Sequence, residues 1–205
     1  MHKITLTDRV RKLTSSIVVP MGHRLKDLGV HPDALTILGL IIVGIGAIPL
    51  SQGAFLIAWG VLLAGLPIDA LDGATARAYG NLRPFGAFLD STLDRYADAI
   101  IFGALAYYYA DVHNMQMVLA ALVALHGSLT VSYARARAEG LGLDNRGGWL
   151  SRLERVVIIL VSLFLTIIDK RAIDVGVIGL AVGTQITCIQ RIIYVSRNAK
   201  PLKDA

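Results

Sequence analysis

The chain has 205 residues, 55% of them hydrophobic, with a mean hydropathy of +0.60; soluble domains hold about 45–50% apolar residues, so a bilayer is the expected medium. The net charge of +5 and pI near 9.5 fit a basic collar against anionic headgroups, and no aromatics are interleaved on the basic face, which argues against nucleic acid. A lone Cys188 excludes an intrachain disulfide and a thiolate metal site, leaving an inert buried thiol as its reading.

Residues 1–30 are polar and basic. Ile4, Leu6, Val10, Leu13 and Ile17 alternate with Lys3, Arg9, Arg11 and Lys12, a pattern that predicts an amphipathic helix lying on the membrane surface. No apolar region long enough for a signal peptide follows the basic residues before residue 34. Residues 31–200 then read as one domain of six spans, at 33–52, 54–78, 85–110, 114–138, 153–169 and 174–196, most near the ~20 residues a bilayer requires. The expected fold is an all-α integral membrane protein, six transmembrane helices preceded by the N-terminal surface helix.

The first span opens at His31-Pro32-Asp33, where Pro32 ahead of a capping Asp33 reads as a helix start. The second and third spans carry Asp69, Asp72, Gly73, Ala76, Arg77, Gly86, Asp90 and Asp94, in the pattern D-x2-D-G-x2-A-R-x8-G-x3-D-x3-D. On helices, Asp69 and Asp72 share one face at i,i+3, and Asp90 and Asp94 another at i,i+4. Four carboxylates converging at membrane depth would repel one another or take up protons unless hard divalent cations held them ionised. Two Mg2+ or Mn2+ ions are the simplest answer. Gly73, Ala76 and Gly86 clear side-chain bulk beside the acids, and Arg77 supplies a fork suited to phosphate.

The fourth span closes with Ser132-Tyr133-Ala134-Arg135-Ala136-Arg137-Ala138-Glu139, Gly140, Gly142, Gly147 and Gly148 make a flexible turn, and Ser151-Arg152-Leu153-Glu154-Arg155 opens the fifth. Arg135, Arg137, Arg152 and Arg155 each admit a plain reading as interface anchors. Arg191 lies inside the sixth span, between Gln190 and Ile192, where a charge needs a partner. A phosphate would be one. Of the twenty Lys and Arg residues only Lys170 and Arg171 fall in loops on the far side, so by the positive-inside rule both termini and the acid motif face the cytoplasm.

The acid motif, complete and correctly spaced, resembles the signature of the CDP-alcohol phosphatidyltransferases, integral membrane enzymes that move a phosphatidyl group from a CDP-linked lipid to an alcohol. His31 to Gly39, Ser-Tyr-x-x-Ala-Arg-Ala-Glu at 132–139 and Ile-Thr-Cys-Ile-Gln-Arg at 186–191 resemble the bacterial phosphatidylinositol-phosphate synthase branch. That resemblance implies a cell-membrane homodimer. It implies CDP-diacylglycerol contacts from Asp33, Ala34, Leu35, Thr36, Gly73, Ala76, Arg77 and Arg83, and an acceptor-phosphate pocket of Arg135, Arg137, Arg155 and Arg191. The branch usually carries Lys where Arg135 stands, and a small hydroxyl residue where Arg83 stands.

The reaction this implies is displacement at the β-phosphorus of CDP-diacylglycerol, with Asp69, Asp72 and Asp90 as metal ligands. Asp94 is the expected general base and a possible fourth ligand. A cluster of arginines favours a phosphorylated acceptor, whose charge approaches −2, over serine, ethanolamine or choline. Inositol phosphate is preferred on the branch resemblance; glycerol 3-phosphate is the alternative. A cation transporter would use the same acids as an ion path, but Asp111, Asp169 and Asp174 lie at the far ends and no acid chain joins the two groups. A lipid-binding scaffold would not need the full ligand spacing.

Overall fold

The computed structural model describes the backbone of residues 6–80, 83–143 and 147–199, and the side chains of these from Ser15 onward except those of Leu66 and Asp69. Seven helices account for nearly all of it: α1 (Leu6–Asp27), α2 (Pro32–Ser51), α3 (Phe55–Ala78), α4 (Pro84–Asp111), α5 (Met115–Glu139), α6 (Arg152–Leu165) and α7 (Ala172–Asn198). No strand occurs among the described residues.

Local chemistry sets the boundaries. Helix α1 ends where Gly29 takes a φ of +74° and its N–H bonds the Lys26 carbonyl at 2.8 Å, a left-handed stop that glycine adopts without strain. At the head of α2 the cap is His31, whose Nδ1 accepts from the Asp33 N–H at 3.3 Å. The expected cap at Asp33 is therefore displaced by two residues: Pro32 has no N–H to be satisfied and suits the first helical position, which puts Asp33 in the first turn. Helix α6 opens on Ser151-x-x-Glu154 with the Ser151 hydroxyl on the Glu154 carboxylate, the spacing of a capping box.

Six helices close into a ring in the order α2, α4, α5, α7, α6, α3 and back to α2, with α1 laid against α3. Close approach is built in by small residues. A Cβ on Gly22 would lie 2.8 Å from the Ala74 backbone, and one on Gly127 would meet Thr184, so α1 against α3 and α5 against α7 sit closer than larger side chains allow. One end of the ring is filled by an apolar core that includes Leu50, Phe55, Leu105, Tyr109, Met117, Leu163, Ile173 and Val177. The other end is where α3 and α5 finish and α2, α4 and α6 begin, and it holds the acids.

The outer surface is apolar. On α2, Ile37, Ile41, Ile45 and Ile48 are all exposed and form a stripe along one face. Helices α2, α3, α5 and α7 are long and apolar enough to cross a membrane. Helix α4 has 28 residues but carries Asp90, Asp94, Arg95, Asp98 and Asp111. Helix α6 has 14 residues, about 21 Å at ~1.5 Å per residue, short of a ~30 Å hydrocarbon core; the expected span at 153–169 thus ends in turns over its last residues.

Candidate active site

The acid-bearing end of the ring encloses a cavity of about 450 Å³, within the range of small-molecule sites. Each wall comes from a different helix. Leu35 and Thr36 project from the first turns of α2, Asp72 and Gly73 from the end of α3, and Asp90, Asp94 and Asp98 from one face of α4; Arg135 comes from the end of α5, and Ser151, Arg152 and Arg155 from the start of α6.

Asp72 is only 7% exposed, and the Thr36 hydroxyl donates to its Oδ2 at 2.8 Å. This bond joins α2 to α3 and fixes the carboxylate's direction. Asp94 Oδ1 lies 2.9 Å from Arg152 Nη1, and Asp98 Oδ2 lies 2.9 Å from Arg155 Nη2. Because α4 and α6 are not adjacent in the ring, these two ion pairs bridge its interior. The Arg155–Asp98 pair is almost wholly buried, and Arg155 Nε has no hydrogen-bond partner. Arg135 pairs with Glu139 at 2.8 Å on the exposed last turn of α5.

Of the residues singled out from the sequence, Leu35, Thr36, Asp72, Gly73, Asp90, Asp94, Arg135 and Arg155 line this one cavity. Others stand around it. Arg83 caps α4 and reaches Asp33 at 2.6 Å, tying the α3–α4 connection to the head of α2, with Ala34 exposed beside them. Ala76 and Arg77 lie on the last turns of α3; a Cβ on Gly73 would be 3.4 Å from Arg77 Nη1, so this guanidinium lies back over Gly73. Gly86 faces Asp33, where a Cβ would make ordinary contact at 3.5 Å. Arg137 is exposed. Asp69 belongs to α3, but its side chain falls outside the described residues.

Arg191 is a finding of its own. It is 3% exposed and does not line the cavity. Its Nε donates to the Gly147 carbonyl at 3.1 Å and its Nη1 to the Val131 carbonyl. The partner that the sequence demanded is thus supplied by two backbone oxygens, each with a lone pair to spare. Beside it the Leu150 N–H donates to Thr187 Oγ1 at 3.2 Å, and a Cβ on Gly148 would meet Thr187 Cγ2 at 2.7 Å. Arg191 and Thr187 together hold the segment that delivers α6 to the site.

Asp98 was missed by the sequence reading, though it continues the Asp90, Asp94 face at another four-residue step, and extending the helical periodicity by one turn would have found it. Arg152, read from the sequence as an interface anchor, lines the cavity as well.

The donor chemistry suits a hard divalent cation: the carboxylates of Asp72, Asp90 and Asp94 line one cavity in an apolar ring. Among the described residues no three Asp, Glu, His or Cys side chains are gathered closely enough to form a ligand group, so a complete shell draws on Asp69 or on rotation of the acids present.

A ring of helices with an apolar outer surface and a cavity holding a cluster of charged residues at one end is the build of an integral membrane protein. Residues 29–189 match the family model of the CDP-alcohol phosphatidyltransferases, and the chain belongs to that family. It is 38% identical over 194 residues to the phosphatidylinositol phosphate synthase of Mycobacterium bovis, covering 89% of this chain and 87% of the relative. The crystal structure of the Mycobacterium tuberculosis phosphatidylinositol phosphate synthase with CDP-DAG bound superposes with a TM-score of 0.85 at 34% identity, over 93% of this chain and 98% of that one. The same enzyme in complex with manganese and citrate gives a TM-score of 0.84 at 34% identity, over 92% and 93%.

Proposed function

We propose that the protein transfers the phosphatidyl group of CDP-diacylglycerol to a hydroxyl of inositol phosphate, releasing CMP. The observation that carries this reading is the gathering of carboxylates and guanidiniums in one cavity: Asp72, Asp90 and Asp94 from the α3 and α4 wall, Arg135, Arg152 and Arg155 from the α5 and α6 wall. A pyrophosphate held through cations suits the first wall, and a phosphate monoester suits the second. The likeness to two forms of a phosphatidylinositol phosphate synthase supports inositol phosphate over glycerol 3-phosphate.

In this mechanism Asp69, Asp72 and Asp90 hold divalent cations, two ions of Mg2+ or Mn2+. Such ions, when bound, polarise the diphosphate and offset the charge that develops on departing CMP. Thr36 keeps the Asp72 carboxylate aimed, and Gly73, Ala76 and Arg77, with Asp33, Ala34, Leu35 and Arg83, meet the nucleotide and its phosphates. Arg135, Arg137 and Arg155 draw in the acceptor's phosphate, with Arg191 behind them. Asp94 takes the proton of the attacking hydroxyl; the new bond joins that oxygen to the β-phosphorus, and the bond from this phosphorus to CMP breaks.

The setting follows from the same reading. Helices α4 and α6 complete six spans, with the charged start of α4 and the short α6 gathered around the polar cavity, and α1 lies along the cytoplasmic face. Residues 1–30 are the juxtamembrane segment and 31–200 the catalytic domain of a homodimer in the cell membrane, its termini and site cytoplasmic by the distribution of Lys and Arg. A transport path is disfavoured: between Asp98 and Asp111 α4 has no acid, and the far end of the ring is filled by the apolar core.

The test is CMP release from CDP-diacylglycerol by purified protein with Mg2+, Mn2+ or chelator, across inositol phosphate, glycerol 3-phosphate, inositol and serine. Release should require both a divalent ion and a phosphorylated acceptor, and inositol phosphate should give the highest kcat/KM. Release with glycerol 3-phosphate alone would move the assignment to phosphatidylglycerophosphate synthesis, and metal-independent release would remove the metal role.

A further inference from the structure

Three arginines line the cavity or its mouth, and each is held by a carboxylate: Arg135 by Glu139, Arg152 by Asp94 and Arg155 by Asp98. The pairs differ in depth. Arg135 and Glu139 have side chains 45% and 47% exposed, Arg152 and Asp94 31% and 19%, and Arg155 and Asp98 3% and 10%. An ion pair near water is weak and opens readily, whereas separating a fully buried one strands a charge. The Arg155–Asp98 pair is therefore the fixed element, and the Arg152–Asp94 pair the exchangeable one.

Asp94 carries the exchange into the reaction. While its Oδ1 accepts from Arg152, the guanidinium competes with a proton or a cation for the carboxylate, so opening the pair favours the action of Asp94. Arg135, Arg152 and Arg155 share a cavity, so a phosphate monoester entering it meets Arg152 without crossing the membrane or the ring. We propose that Arg152 is an exchange residue: it occupies Asp94 until an acceptor phosphate arrives, then transfers to the phosphate and leaves the Asp94 carboxylate open to the cation site. Arg152 thus couples the two halves of the cavity. By linkage, each ligand raises the affinity of the other by the same factor. The inference rests on the proposed metal and acceptor roles, and goes beyond them in giving Arg152 a part that no residue of the acid motif supplies.

The experiment is Mn2+ binding by electron paramagnetic resonance on the purified full chain in detergent, with and without inositol 1-phosphate, in the wild type, Arg152→Gln, Arg152→Lys and Asp90→Asn. In the wild type inositol 1-phosphate should raise Mn2+ affinity, by roughly 5-fold or more. Arg152→Gln should bind Mn2+ more tightly than the wild type when no phosphate is present, and should lose most of the enhancement. Arg152→Lys keeps the charge, guards against a folding defect, and should retain part of the enhancement. If Arg152→Gln matched the wild type in both affinity and enhancement, while Asp90→Asn bound no Mn2+, direct contact between phosphate and metal would explain the coupling; the exchange role would fall and the metal site would stand. Absence of Mn2+ binding in the wild type would overturn both.

Discussion

Asp72, Asp90 and Asp94 share a cavity but differ in company. Asp72 is buried and held by Thr36, Asp94 is met by an arginine from across the ring, and Asp90 lies one turn before it on the same helix face. Replacing Asp90 by Asn exchanges an anionic ligand for a weaker neutral one, and should abolish both turnover and Mn2+ binding in folded protein, as rates and metal titration would record. Asp94→Asn should lower kcat by about 10²–10⁴-fold, the usual contribution of a positioned base, with binding of CDP-diacylglycerol retained; equal losses in rate and lipid binding would make Asp94 a ligand and no base. Arg191→Gln removes hydrogen bonds from a charged donor, each about 1.5–3 kcal/mol, and loosens the 147–150 segment. A lower Tm together with a higher KM for the acceptor, and an unchanged KM for CDP-diacylglycerol, is the expected outcome.

Among the elements, α4 and α6 depend on each other through the ring's interior. Arg155→Gln would leave Asp98 buried and uncompensated, costing about 3–5 kcal/mol. Removing both charges in Arg155→Leu with Asp98→Leu should restore most of the stability without restoring activity, a contrast that unfolding and turnover measurements would separate. These elements were largely legible in the sequence. The expected spans at 33–52, 54–78 and 114–138 lie within one residue of α2, α3 and α5, because long apolar runs between Pro, Gly and Asn punctuation leave little choice. The fifth span was read too long, since Ile167 and Ile168 are apolar enough to extend a hydropathy window but, with Thr166, form turns. Spacing alone picked out Asp72, Asp90 and Asp94, which line one cavity, but stopped short of Asp98. What spacing could not give was pairing: which carboxylate answers which arginine depends on how α6 crosses the ring, and Arg191 found backbone oxygens that no residue pattern encodes.

At the scale of the whole molecule, the apolar exterior and the polar mouth fix how the protein sits in a bilayer. With Cys188 replaced by Ala, a cysteine at Ala199 should react with a membrane-impermeant maleimide only after cells are opened, and a cysteine at Lys170 should react in intact cells. The reverse pattern would invert the proposed orientation. The apolar core at the opposite end of the ring has a further bearing on lipid traffic. Among the described residues, this core closes the ring beyond the cavity and makes it a recess open at one end. On the proposed function, donor and acceptor would then enter from one side and CMP leave by it, and the new lipid would be released into the leaflet that supplied the old one. Under the proposed function, synthesis through such a recess changes the composition of one leaflet only.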